Sequence, residues 1–253
     1  MMRMHKNGEI HSVEDWFAEA PPKRGIRQWA DGRSAKELAR AWFPAPGEAH
    51  MPEELQTLLD SRPETRQARL AEGEPERVTV FDRCGGEGRN ADLVFWGSAP
   101  GGRLVACVEA KADEPFGEVS GEYVDQAAGR NPRSRVPERF ELLCRGVLGL
   151  GPECDDARGV RYQLLTAVAG TLVEAEQHSA DVALFIVHEF LGRTDPAKVA
   201  ANAADLDRFV TLLSRGSTED VPPGMLVGPF SVPGNAHFGP TDRLFVGKCR
   251  RHV

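Results

Sequence analysis

Between Arg77 and Ala110 the chain carries three short apolar segments in succession: RVTVF (77–81), ADLVFW (91–96) and RLVACVEA (103–110), divided by turns rich in Gly, Pro and Ser. Segments of this length and spacing predict a meander of three strands. A fourth segment, DVALFIV (181–187), is apolar throughout, the pattern of a strand covered on both faces. Strands of this kind need helices packed against them, so the expected class is α/β, with a central mixed sheet flanked by helices.

Helical periodicity supplies those layers. Ser34 opens SAKELARAWF, which Pro44 stops, and Pro52 starts a helix with Leu55, Leu58 and Leu59 on one stripe. A polar helix is expected over Glu64–Ala71. Further helices are expected over Glu118–Ala128, Glu138–Leu148, Arg161–Glu176 and Asp195–Ser214, and late strands over Met225–Phe230 and Arg243–Gly247. The first thirty residues lack clear periodicity and are expected to wrap the surface. The stretch Asn131–Asp156, broken by Pro and Gly, is expected to be a mobile insertion. No repeat and no domain boundary is visible, so residues 1–253 are taken as one domain: a helical elaboration (1–63), a core (64–190) and a C-terminal helix with strands (191–253).

Composition narrows the function classes. With 31 basic and 38 acidic side chains, the net charge of −7 excludes a uniformly basic nucleic-acid binder. No apolar run approaches membrane length, since the longest is Val182–Val187. The N-terminus has no apolar signal region, and the 5 cysteines form no CxxC pair; both point to a cytoplasmic chain with reduced thiols. His188-Glu189 begins a zinc-protease pattern, but Gly192 stands where its second His belongs. P-loop, dinucleotide-binding and nucleophile-elbow patterns are missing.

One constellation carries chemistry. Asp92 opens the second expected strand, and Glu109-Ala110-Lys111 closes the third. Pairing through the turn at Ser98–Gly102 brings those ends together, with Glu109 and Lys111 on one face. Two carboxylates and the Ala110 carbonyl would make a hard oxygen site suited to Mg²⁺ or Mn²⁺. A cation there would acidify a bound water, and the lysine would orient it.

This arrangement resembles the PD-(D/E)xK nucleases, the superfamily with the restriction-endonuclease-like fold. The resemblance runs from about Glu64 to Val187, where the expected order of helix, three strands, helix, strand matches that superfamily's αβββαβ core. It implies a metal-dependent nuclease acting on DNA or RNA, with Asp92 and Glu109 as metal ligands and Lys111 assisting water attack. Ala91 stands where the family has its nominal proline. The family often adds a Gln or basic residue on the following helix, for which Arg161 and Gln163 are candidates. It also often adds a carboxylate from the preceding helix, for which Glu64 and Glu72 are candidates. Such nucleases often pair as homodimers to cut two strands. The tripeptide alone carries little weight, because composition predicts about one chance [DE]xK match and one is present.

Beyond the motif, Arg130, Arg133 and Arg135 are candidate phosphate contacts within a basic segment that continues to Arg145. The acidic residues from Asp113 to Asp125 read as a solvated helix face. Two other functions fit the same residues: a catalytically inactive nuclease-fold protein that binds nucleic acid or protein, and a metal-dependent enzyme acting on a small phosphorylated substrate.

Overall fold

The computed structural model describes residues 2–192 and 195–253. Its helices are α1 (Val13–Glu19), α2 (Ser34–Trp42), α3 (Glu53–Asp60), α4 (Ser120–Arg130), α5 (Val136–Leu143), α6 (Asp155–Arg158), α7 (Tyr162–Gln177) and α8 (Pro196–Leu213). Its strands are β1 (Arg3–Met4), β2 (Arg69–Thr79), β3 (Arg89–Ala99), β4 (Gly102–Lys111), β5 (Val182–Leu191), β6 (Met225–Val232) and β7 (Thr241–His252). All seven strands form one mixed sheet in the order β1-β2-β3-β4-β5-β7-β6.

The meander expected from the sequence is β2-β3-β4, antiparallel throughout, and β5 then lies parallel to β4. Strand β7 runs parallel to β5. The carboxyl ends of β4, β5 and β7 therefore share one end of the sheet, and antiparallel β3 begins there. As its unbroken apolar pattern implies, β5 is buried from Val182 to Phe190.

Two apolar layers enclose the sheet. On one face α2 and α3 pack Leu38, Trp42, Leu55 and Leu58 against Phe95, Ala106, Leu184 and Ile186. On the other, α4 to α8 contribute Val124, Phe140, Ala157, Leu164 and Phe209 against Phe185, Val187 and Val246. At ~25 cal/mol per Å² of apolar area removed from water, these side chains dominate the stabilisation.

Four expectations are corrected. Residues 64–71 do not form a helix: Gln67 takes φ 57°, which breaks a right-handed helix, and Arg69 already pairs with Ser98 in β2. Strand β2 is thus much longer than RVTVF and ends before Val80, because pairing with β3 and with β1 holds a segment of poor strand propensity extended. The first thirty residues do not merely wrap the surface: they supply β1 and α1, and Met4, Ile10 and Trp16 are buried. The stretch 131–156 is no insertion either, since Phe140, Leu143, Cys144 and Val147 sit in the main core.

Candidate active site

The site forms where β3 and β4 part. Their ladder ends at Leu93–Val108. One position further, Asp92 Oδ2 accepts the Ala110 backbone N–H at 2.7 Å, so a side chain replaces the backbone acceptor that continued pairing would supply. The β2–β3 ladder is interrupted at the same level. Pro75 pairs with Leu93 and Arg77 with Ala91, leaving Glu76, at φ 48°, opposite Asp92.

This irregularity shifts the pleat by one residue. Leu93 and Phe95 join the layer with α2 and α3, whereas Val94 packs beside Ala175 of α7. Strict alternation would send Arg89 to the α2–α3 side. Instead Ala91 joins Val94, and a Cβ built on Gly170 of α7 would lie 3.0 Å from Arg89 Cγ. The slip thus delivers Arg89 to the face that carries Glu109 and Lys111.

There Glu109 and Lys111 are nearly buried, at 4% and 5% exposure. Glu109 Oε1 lies 2.8 Å from Lys111 Nζ and accepts from Gln163 Nε2 at 2.7 Å. Its Oε2 accepts from Arg89 Nη2. Lys111 Nζ also donates to Gln163 Oε1 at 3.0 Å and to the Pro115 carbonyl at 3.2 Å, with the Phe116 ring centroid 5.0 Å away. Gln163, in the first turn of α7, ties the acid and the amine of the motif together.

Burial shapes the proton affinities. It pushes the Lys111 ammonium down to about 8 and the Asp92 carboxyl upward, against the Ala110 N–H and the Lys111 and Arg89 charges that favour the carboxylate. Burial and then the Asp92 charge push Glu76 up to about 7, although Asn90 Nδ2 donates to its Oε2. The Arg89 guanidinium is lowered by the same desolvation.

Among the residues singled out from the sequence, Asp92, Glu109, Ala110, Lys111 and Gln163 meet here. The other auxiliary candidates lie elsewhere. Arg161 donates to Asp205 at 2.8 Å and to the Gly117 carbonyl at 2.9 Å. Glu72 pairs with Arg3 and His5 across the β1 edge. Glu64, whose carbonyl accepts from Gly101, sits at the opposite end of the meander. Glu76 and Arg89, which no sequence pattern marks, also border the site.

A cleft of about 630 Å³ opens beside Arg89 and Asn90. Its walls are the Gly85–Gly88 turn, Tyr123, Tyr162 and the chain entering α5, with Arg133, Arg135 and Arg139. Arg139 pairs with Asp82 and Arg135 with Glu138, while Arg133 is exposed. Arg130 is not part of this wall; it donates to Gln126 on the exposed side of α4. A second cleft of about 660 Å³ carries Asp31, Glu37 and Asp113 beside its arginines and so is balanced in charge.

A family model described as a domain of unknown function (DUF6946) matches residues 9–236. The chain belongs to the DUF6946 family. The DUF6946 match takes in β2 to β6 and α1 to α8, and with them every residue of the site and the arginine cleft. No curated protein and no solved structure matches the chain.

Proposed function

We propose that this DUF6946 chain is a divalent-cation-dependent nuclease of the PD-(D/E)xK type, built on a restriction-endonuclease-like core and acting on DNA or RNA. One observation carries the reading: Asp92 on β3 meets Glu109-Ala110-Lys111 on β4 at the point where the strands part, with Lys111 bonded to Glu109. The β2-β3-β4 meander, the crossover through α7 and the parallel β5 support the fold assignment.

The donors suit Mg²⁺ or Mn²⁺. Asp92 and Glu109 offer carboxylate oxygens, and the Asp92 charge together with burial holds the neighbouring Glu76 carboxyl up at about 7. Among the described residues, no group of three His, Cys, Asp or Glu is placed to hold a metal ion. Two carboxylates, the Ala110 carbonyl and solvent would therefore hold the cation, a common way of binding Mg²⁺. When bound, the cation would acidify a water and neutralise charge on a phosphoryl oxygen. Lys111, held by Glu109 and Gln163, orients the attacking water and offsets developing negative charge. Gln163 holds the amine in place, and the arginine cleft receives the phosphate backbone.

A second reading, a nucleic-acid- or protein-binding module without turnover, is favoured by the state of Glu109, whose two oxygens are engaged by Arg89, Lys111 and Gln163. Incubation with single- and double-stranded DNA and RNA in Mg²⁺ or Mn²⁺ separates the two. Cleavage that chelator stops and Lys111→Met removes supports the nuclease. Binding without cleavage in either metal supports the module.

A further inference from the structure

The buried cation in the carboxylate cluster also lines the cleft where a phosphate would arrive. Arg89 is 11% exposed at its side chain, pairs with Glu109, and faces Glu76 and Asp92 electrostatically. Its Nε is buried without a hydrogen-bond partner, so the guanidinium is not fully satisfied where it lies. Next to it the cleft is open, and the Arg89 stem packs against Gly170 of α7, where a Cβ would lie 3.0 Å from its Cγ. A divalent cation on Asp92 and Glu109 would sit at close range to this guanidinium, and both would compete for Glu109 Oε2.

We propose that Arg89 is an exchangeable counter-ion, neutralising Glu109 while no divalent cation is bound and turning into the arginine cleft when one enters. There it joins the exposed Arg133 as a donor to a phosphate oxygen of the substrate. This rests on the metal-dependent reading above. The exchange leaves Asp92 and Glu109 with a cation beside them in either state, first the singly charged guanidinium and then the divalent ion. It also ties cation loading to completion of the phosphate site, since the same side chain cannot serve both places.

Calorimetric titration of Mn²⁺ into the full chain and into Arg89→Gln tests the exchange. Removal of the competing guanidinium is expected to tighten Mn²⁺ binding at least tenfold. Equal or weaker binding by the variant overturns the proposal and leaves the nuclease reading standing. No binding by either protein at millimolar Mn²⁺ overturns both. Should Arg89→Gln fail to fold, the Arg89 Nε–Hε resonance of the native chain decides: it should shift in step with Mg²⁺ saturation. A resonance that stays fixed while Mg²⁺ binds sinks the exchange.

Discussion

Asp92 Oδ2 and the Ala110 amide are joined at 2.7 Å, which places a side-chain carboxylate inside the hydrogen-bond ladder of β3 and β4. An aspartate used this way both ends the pairing and holds its charge at the mouth of the opening it creates. Structure and chemistry at the site thus depend on one residue. Its replacement by Ala would leave the Ala110 N–H without its acceptor as well as removing a carboxylate from the opening.

If the protein is the proposed nuclease, Lys111→Met abolishes metal-dependent cleavage while the circular dichroism spectrum stays native, since the Met stem fills the same apolar slot beside Phe116. The lysine also has a pH signature. Its folded value near 8 lies below the ordinary 10.5, so between those values the native state releases its proton first and stability rises with pH. Below pH 8 the full cost of burying the charged amine is present. Thermal melts from pH 7 to 10 should show the native chain gaining on Lys111→Met; a constant difference would remove the assigned proton affinity.

Glu76→Gln is expected to stabilise the protein at pH 8 by about 3 kcal/mol. The folded carboxyl titrates near 7 against an ordinary 4.5, so the unfolded chain loses its proton first, and stability falls as pH rises through that interval. The gain should vanish below about pH 4.5, where both states hold the proton. The amide keeps an oxygen for Asn90 Nδ2, which limits the change to charge. Denaturant midpoints at pH 4 and pH 8 measure both ends.

Gly97→Ala should cost about 1–3 kcal/mol, or more if β2 is displaced. A Cβ at this position would lie 2.1 Å from the Arg69 carbonyl oxygen and 2.8 Å from Leu70 Cα, beside the irregular pairing at Leu70 and Glu72. Those are backbone atoms and cannot rotate away. A fall in melting temperature of several degrees is expected; an unchanged melt would show that the bulge yields freely.

Arg133→Ala should reduce the slope of log K against log salt for polynucleotide binding by about 1, because that side chain borders the cleft. Arg130→Ala should leave the slope alone, as its guanidinium is held by Gln126 outside that wall. Anisotropy titrations at several salt concentrations compare the two. Equal effects would move the substrate path out of the cleft and onto α4.

The parts of this architecture visible in the sequence were those set by local pattern. The ADLVFW and RLVACVEA segments read correctly as neighbouring strands, and the apolar run after Asp181 read correctly as a strand covered on both sides. Arg89 could not be found that way, since counting by twos from Val94 sends it to the wrong face and only the slip at Asp92 brings it round. Glu76 was hidden for a related reason: β2 is held extended by partners far away in sequence, through residues such as Gly73 and Pro75 that do not announce a strand. Gln163 was visible only as one of two polar residues at a helix start, and its bonds to Glu109 and Lys111 separate it from Arg161.

The crossover through α7 also sets an order of events in time. The β3–β4 hairpin closes through the tight turn at 100–101 and is expected to assemble early, bringing Asp92 beside Ala110. Gln163 arrives only with α7, which packs when β5 docks along β4, a pairing that joins Leu104 to Val182 and must close a long loop first. The acid–amine pair is therefore expected to form before its clasp. Removing it with Gln163→Ala should accelerate unfolding and leave the folding rate nearly unchanged, a kinetic record of how late the site is finished.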